Sequence, residues 1–252
     1  MTTTIAIGGK GGVGKTSIAA LLIKLLSEKG VVLAIDGDPS SNLNLALGLP
    51  LTAAVGDIRE EMSVKVKSGR FDVGISKPDY IELKIHEALV ESPKIDLLAM
   101  GRPEGPGCYC AANNMLRSTI DRLGKNYDYV VVDNEAGMEH ISRQTTRDVD
   151  ILIIVSDPSL RGLITAARIK GLIGELRTHV GRIALVVNRL NGVLSPEGQK
   201  LVADNGMEIV GLLPVDPEVT ELDSRGAALV ELGENSTLRQ GVRDIARKLN
   251  LI

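Results

Sequence analysis

The residues best suited to chemistry form a glycine-rich segment near the start of the chain. Residues 9–16 are Gly-Lys-Gly-Gly-Val-Gly-Lys-Thr, which fits the pattern G-x-x-x-x-G-K-[ST] between a predicted strand and a predicted helix. Glycine permits positive φ, so successive backbone N–H groups can converge with the helix N-terminus on an anion. The segment therefore predicts a site for the phosphates of ATP or ADP, formed by Gly9, Gly11, Gly12, Val13, Gly14, Lys15, Thr16 and Ser17.

A magnesium site is predicted beside these phosphates. Lys15 is placed to reach the β and γ oxygens, and the Thr16 hydroxyl is a ligand for Mg²⁺. Asp133 ends the apolar strand that begins at Tyr129 and can hold the same ion through water, as the acid of a Walker B motif does. The alternative is a glycine-rich turn without nucleotide, which the motif, its position and the second acid together disfavour.

Lys10 is a second lysine in the loop, which the general motif does not require. It lies near the phosphates but cannot easily reach them from its own subunit, so we expect it to act on the site of a second copy. A cation inserted in this way neutralises charge that develops during phosphoryl transfer, as an arginine finger does. Lys10 and Lys15 are therefore predicted catalytic residues, and hydrolysis is predicted to depend on a homodimer.

The elements that must position these residues alternate along the chain. Short β-branched runs and longer amphipathic stretches are typical of an α/β fold, here a doubly wound, mostly parallel sheet with helices on both faces. At 252 residues we expect a single domain over 1–252, with residues 55–93 a variable, partly helical segment. The predicted strands are Thr3–Ile7, Val31–Asp36, Ile95–Met100, Tyr129–Asp133, Ile151–Ser156, Ile183–Asn188 and Glu208–Leu213, and the predicted helices are Thr16–Lys29, Asn113–Leu123, Leu160–Leu176, Pro196–Asp204 and Ser236–Leu249.

Composition limits the classes of function. Hydrophobic residues make up 44% and charged residues 24%, as in ordinary soluble proteins, whereas aromatic residues are only 2%. With so few aromatic rings and a net charge of −3, binding to nucleic acid is not expected. No apolar run reaches the roughly 18 residues of a membrane helix, and no secretion signal precedes the first strand. We therefore expect a cytoplasmic protein without a membrane partner.

The lysine pair of residues 9–16 resembles the MinD/ParA family of deviant Walker A ATPases, and the resemblance extends over nearly the whole chain. Asp36-Gly37-Asp38-Pro39, together with Asn42, resembles that family's first switch. The resemblance implies that Asp38 polarises the attacking water and that Asp36 supports the magnesium site. Asp133-Asn134-Glu135-Ala136-Gly137 resembles the second switch, whose final glycine lies close to the γ-phosphate. Without the phosphate loop, a simple turn after a strand would be the preferred interpretation of the first segment.

Two later segments resemble the purine-recognition segments of the same family. The resemblance implies that the nucleotide contacts Asn188 and Arg189 in the first segment and Pro214, Val215 and Asp216 in the second. An Asn amide can pair with the edge of adenine. Asn188 can also cap the end of a strand, and the sequence leaves both interpretations open.

Both cysteines of the chain lie in one short segment, Gly107-Cys108-Tyr109-Cys110, between a predicted strand and a predicted helix. Loops after the carboxyl ends of parallel strands lie at the ligand-binding edge, so Cys108 and Cys110 are expected near the phosphate loop. A disulfide between them would close a small strained ring. Two thiolates coordinate a metal only in part, whereas a two-fold axis would bring four together around Ni²⁺ or Zn²⁺. The alternative is two small apolar side chains that are neighbours by chance.

The segment from Asp133 to Arg143, together with Cys108-Tyr109-Cys110, resembles the CooC family of carbon monoxide dehydrogenase maturation factors. That resemblance implies an ATP-dependent metallochaperone that assists nickel insertion into carbon monoxide dehydrogenase or acetyl-CoA synthase. His140 could relay between metal and switch, although an isolated His on a helix is more often structural.

Three other functions are weighed against this one. A reductase like the nitrogenase iron protein places a cluster cysteine in the second switch, where this chain has none. A MinD-like membrane protein would use a basic amphipathic end, but the apolar stripe of Leu238, Val242, Ile245 and Leu249 fits better a helix packed on the sheet. A ParA-like partitioning protein needs affinity for DNA, which the acidic balance disfavours.

Overall fold

Seven strands form one parallel sheet. The computed structural model describes residues 1–51, 53–67, 76–101, 118–135, 148–175 and 179–252. The strands are β1 Thr3–Gly9, β2 Val32–Asp36, β3 Ile95–Ala99, β4 Tyr129–Asp133, β5 Asp148–Ser156, β6 His179–Val187 and β7 Glu208–Leu212. They pair in the order β3-β2-β4-β1-β5-β6-β7, and every pairing between them is parallel.

Helices connect the strands, as parallel pairing requires. They are α1 Lys15–Ser27, α2 Leu43–Leu47, α3 Val55–Lys67, α4 Lys77–Ala88, α5 over residues 118–124, α6 Leu160–Glu175, α7 Pro196–Asp204, α8 Pro217–Arg225 and α9 Thr237–Lys248. A short 3₁₀ turn spans Leu229–Glu231.

The helices cover both faces of the sheet because alternate strand residues point to opposite sides. In β1, Ile5 and Ile7 belong to a core that includes α1 and α9, whereas Ala6 belongs to a core that includes α6 and α7. In β2, Leu33 and Ile35 pack with residues of α3 and α4. The predicted doubly wound α/β architecture is confirmed, and residues 55–93 contain α3 and α4, as the expectation of partial helix allowed.

Two helices were not predicted, α2 and α8. The start of α8 carries a recognisable signal: the Asp216 side chain accepts a hydrogen bond from the Glu218 backbone N–H, and Pro217 occupies the first helical position. Its end is marked by Gly226, whose φ is +63°. The apolar residues of α8 are few, so a search by periodicity misses it.

The apolar stripe of the last predicted helix is buried. Leu238, Val242, Ile245 and Leu249 all lie in the core that includes α1. The prediction that this stripe packs on the sheet is therefore confirmed. Among the described helices, none combines the length and the low polarity needed to cross a lipid bilayer.

Candidate nucleotide-binding site

The phosphate loop lies between β1 and α1. Gly12 and Gly14 have φ values of +77° and +94°, which L side chains rarely adopt. Gly14 is the N-cap of α1 and provides no side-chain cap, so the first N–H groups of α1 are left for an anion. A Cβ on Gly14 would lie 2.4 Å from the Asn188 side-chain nitrogen. The loop therefore has the open backbone that a phosphate needs, and Gly14 is required for its packing.

Lys15 is folded back over this loop. Its side chain is buried, and Nζ donates a hydrogen bond to the Lys10 carbonyl oxygen at 3.3 Å. The Lys15 ammonium group is thus held at the loop by a hydrogen bond within the chain.

Thr16 and Asp133 meet at the start of α1. Because β1 pairs with β4, Ile7 lies beside Asp133 in the register, and the Thr16 hydroxyl donates to Asp133 Oδ2 at 2.6 Å. Asp133 is 1% exposed, and its Oδ1 has no hydrogen-bond partner among the described residues. The pKa of Asp133 is raised to about 7, and burial is the largest cause. The charges of Asp36 and Asp38 add to this rise, whereas the Thr16 hydrogen bond and the Lys15 charge offset part of it. A buried carboxylate oxygen without a donor fits a position beside Mg²⁺ and its water ligands.

Asp36 organises the turn after β2. Its two carboxylate oxygens accept the backbone N–H groups of Asp38, at 3.0 Å, and Leu43, at 2.9 Å. Burial nevertheless raises the pKa of Asp36, since desolvation outweighs these hydrogen bonds. Asp38 is only partly buried and accepts the Ser40 N–H. Asp36 thus supports the turn, and the more accessible Asp38 is the carboxylate available to a water molecule.

The ends of β6 and β7 lie side by side, because the Leu190 N–H donates to the Leu213 carbonyl at 2.8 Å. The Asn188 amide is buried, and its Nδ2 donates to the Val13 carbonyl oxygen at 2.8 Å. Arg189 Nη1 donates to the Gly12 carbonyl oxygen at 3.0 Å. The first predicted purine segment therefore contacts the phosphate loop directly.

The second predicted purine segment is divided between exposed and buried residues. Pro214 and Val215 are exposed at the end of β7. Asp216 is buried, and its carboxylate also accepts hydrogen bonds from Ser236 and the Leu238 N–H at the start of α9. The Asp216 carboxylate is hydrogen-bonded to the first turns of both α8 and α9. Pro214 and Val215 are therefore the solvent-exposed residues of the segment.

Lys10 points away from the loop interior. Its side chain is 50% exposed, and Nζ lies 3.9 Å from Asp157 Oδ2. Asp157 follows β5, which is the other neighbour of β1. The second lysine is therefore held at the carboxyl edge of the sheet by its own chain.

This geometry agrees with a family model. Residues 4–230 match the model described as "CobQ/CobB/MinD/ParA nucleotide binding domain". The chain belongs to this family. Membership confirms the MinD/ParA resemblance of the sequence and identifies the chain as a nucleotide-binding protein of this family.

Relatives within the CobQ/CobB/MinD/ParA family include proteins of different function. An uncharacterized ATP-binding protein of Methanocaldococcus jannaschii, MJ0685, is 47% identical, with 97% of each chain covered. The carbon monoxide dehydrogenase accessory protein CooC of Rhodospirillum rubrum is 33% identical, covering 90% of this chain and 89% of its own. The MinD cell division protein of Aquifex aeolicus superposes with a TM-score of 0.70 at 28% identity, covering 98% of this chain and 97% of its own.

Several predicted residues fall outside the described part of this family member. They are Cys108 and Cys110, the glycine of the second switch, Gly137, and His140. Their predicted roles stay predictions.

Two site residues, Asp157 and Asp223, were missed from the sequence. Asp157 pairs with Lys10, and its position directly after a strand could have indicated it. Asn42 and Asp223 line a cavity of about 390 Å³ that also borders Thr16 and Ser17. Asp223 belongs to α8, so missing that helix also concealed this residue. The cavity lies against the first turn of α1 and has the size of a small-ligand pocket.

Proposed function

We propose that this chain hydrolyses ATP at the phosphate loop, in a reaction that needs two copies of the chain. The observation that carries the proposal is the contact of Thr16 with the buried Asp133, at the start of a helix whose N-cap, Gly14, makes no side-chain cap. The loop N–H groups and Lys15 would hold the β- and γ-phosphates. Thr16 and Asp133 would hold Mg²⁺, which neutralises phosphate charge when bound.

The residues of the first switch complete the reaction. Asp38 would orient the attacking water, since its carboxylate is the accessible one of the pair. Asp36 would keep Asp38 in place through the hydrogen bond to its backbone N–H. In this arrangement Asp36 supports the magnesium site by shaping the turn.

Lys10 would act on the partner's nucleotide. Within one chain its ammonium group is half-exposed beside Asp157, while Lys15 occupies the loop. A side chain at the exposed edge of the sheet can cross a two-fold interface more readily than it can turn inward past Lys15. Inserted there, it would neutralise charge developing on the transferred phosphoryl group.

We further propose that the dimer carries Ni²⁺, or Zn²⁺, as cargo on Cys108 and Cys110 and delivers nickel to carbon monoxide dehydrogenase or acetyl-CoA synthase. The 33% identity to CooC supports this function, as does the pairing of the only two cysteines. The Met100 N–H donates to the Asp36 carbonyl at 2.8 Å, so the segment with the cysteines leaves the described chain beside the first switch. Two thiols per copy make a half-site, and four complete a tetrahedral one.

Metal titration with native mass measurement tests this cargo function. We expect one Ni²⁺ or Zn²⁺ per two chains in the presence of a non-hydrolysable ATP analogue, with the complex shifted to the dimer. The double variant Cys108→Ser/Cys110→Ser should lose the metal and keep the affinity for Mg-ADP. Unchanged metal stoichiometry in that variant would contradict the cargo function and leave the ATPase proposal standing.

A positioning or partitioning ATPase is the second candidate, favoured by the likeness to Aquifex aeolicus MinD. It predicts ATP-dependent binding to anionic vesicles or to DNA. Cosedimentation with phosphatidylglycerol vesicles and a DNA gel shift, each with the ATP analogue, separate this candidate from the metal carrier.

A further inference from the structure

Two consecutive residues after β6 hold two consecutive carbonyl groups of the phosphate loop. Asn188 Nδ2 donates to the Val13 oxygen at 2.8 Å, and Arg189 Nη1 donates to the Gly12 oxygen at 3.0 Å. We infer that Arg189 and Asn188 are positioning residues for the phosphate loop, which they hold open for phosphate in the absence of nucleotide. This inference rests on the proposed nucleotide site.

The peptide plane explains how such contacts would position the loop. In a trans peptide the C=O and the following N–H point in opposite directions. Holding the Gly12 oxygen therefore fixes the direction of the Val13 N–H, and holding the Val13 oxygen fixes that of the Gly14 N–H. Both carbonyls are turned towards the β6 segment, so both N–H groups are turned away from it, as donors for an anion.

The backbone of Arg189 adopts an energetically unfavourable conformation where it contacts the phosphate loop. Its φ is +59°, in the left-handed region that non-glycine residues seldom adopt. Strained residues of this kind cluster where function requires a fixed geometry. A local hydrogen bond stabilises this left-handed conformation, since the Arg189 N–H donates to Asn188 Oδ1 at 2.9 Å.

Gly14 is the loop residue that packs against the Asn188 side chain. Any Cβ at this position would come within 2.4 Å of the Asn188 amide nitrogen. The glycine thus leaves room for Asn188 as well as for phosphate. Asn188 Oδ1 keeps a second lone pair, so its predicted contact with the adenine amino group remains compatible with the positioning role.

The test separates binding of phosphate from binding of the base. Arg189→Gly removes the guanidinium group and suits the positive φ, Arg189→Ala removes the group and keeps the strain, and Arg189→Lys retains a cation. We expect both truncations to weaken Mg-ADP and Mg-inorganic triphosphate by the same factor, about 3- to 10-fold, as expected for one lost hydrogen bond. The preference for ADP over GDP should not change, and Arg189→Lys should recover part of the affinity. Arg122→Ala, an exposed arginine on α5, is the matched control.

Hydrogen exchange of the nucleotide-free protein gives an independent measurement. Amides of residues 11–15 should exchange faster in Arg189→Gly than in the wild type or in the control. Loss of ADP affinity with unchanged triphosphate affinity would overturn the inference, since Arg189 would then contact the nucleoside. Unchanged exchange in both truncations would overturn it as well. If the wild type bound neither ligand, the proposed nucleotide site would fail, and hydrogen exchange would still decide the positioning role.

Discussion

Replacing Asp216 distinguishes a structural carboxylate from one that recognises adenine. The carboxylate accepts hydrogen bonds from the backbone N–H groups of Glu218 and Leu238, both at 3.0 Å, and from the hydroxyls of Ser236, at 2.7 Å, and Thr237, at 3.1 Å. It therefore caps α8 and fixes the start of α9 at the same time. Because α9 buries its apolar face in the core, these hydrogen bonds connect the start of α8 to the hydrophobic core.

The expected loss of stability in Asp216→Ala follows from these contacts. Losing the N-cap of α8 costs about 1 kcal/mol. Losing the charged acceptor of the Leu238 N–H and the two hydroxyls costs about 2 kcal/mol more, after partial rescue by water. The total of about 3 kcal/mol lowers the melting temperature by roughly 6 to 12 °C for a domain of this size. Asp216→Asn still offers one acceptor oxygen and should lose about half as much.

The stability that Asp216 contributes is expected to decrease as the pH falls. Burial alone would raise the pKa of Asp216, but the hydrogen bonds from Leu238, Ser236, Glu218 and Thr237 outweigh it and hold the pKa below 3.8. The stabilisation is therefore present above the unfolded-state pKa and is lost as the pH falls through the folded-state pKa. The difference between wild type and Asp216→Ala should shrink in acid.

Urea unfolding without nucleotide measures this loss. Glu221→Ala is the control on the same helix, because the Glu221 side chain forms an exposed ion pair with Arg225 and its loss should change stability by less than about 0.5 kcal/mol. If Asp216→Ala were as stable as this control and yet bound ADP weakly, the structural argument would be refuted. Asp216 would then serve the nucleotide, as the sequence predicted.

Two further predictions concern the phosphate site. Without metal or nucleotide, the raised pKa of Asp133, about 7, stabilises the fold at low pH, and this contribution is lost as the pH rises through 7. Between about pH 5 and about pH 8, urea unfolding should show wild type losing about 3 kcal/mol relative to Asp133→Asn, and a constant difference would refute the burial argument. Lys10→Ala should reduce phosphate release by on the order of 100-fold or more with little change in ATP affinity, unlike the exposed control Lys29→Ala. Full activity of Lys10→Ala, or of a monomer, would contradict action across a dimer.

The sheet was largely predictable because its strands are buried on both faces. Apolar β-branched runs located all seven strands, with the bounds of β4 correct at both ends. The starts of β5 and β6 were placed too late. Residues 179–182 are partly exposed and mixed in polarity, yet their backbones continue the ladder between His179 and Asp148. Hydrogen bonding of the backbone extends a strand beyond the apolar run that identifies it.

The site residues were predictable where a functional motif lies within one short segment of sequence. The phosphate loop and Asp133 were identified from local pattern and position, and the structure brings Thr16 and Asp133 together. The partner of Val13 could not be identified in this way, because Asn188 contacts Val13 across 175 residues of sequence. Such pairs depend on strand order, which a single sequence determines poorly. The first turn of α8 is a different case, since Asp216 and Pro217 carried a capping signal that periodicity analysis did not use.

The distribution of unsatisfied groups connects the two switch-like segments to the phosphate site. Within the described residues, three buried side-chain oxygens have no hydrogen-bond partner: those of Asn44, Asp133 and Asn134. Asn44 lies in α2, directly after the first switch, and the other two begin the second. Pairing a buried acceptor with a donor is worth about 1 to 3 kcal/mol, so each of these oxygens favours a ligand or water that donates a hydrogen bond to it. The Gly37 N–H donates to the Asp133 carbonyl at 2.8 Å and links the two segments. A ligand that donates to Asp133 would act on a residue hydrogen-bonded to the first switch, so we expect nucleotide binding to affect both segments.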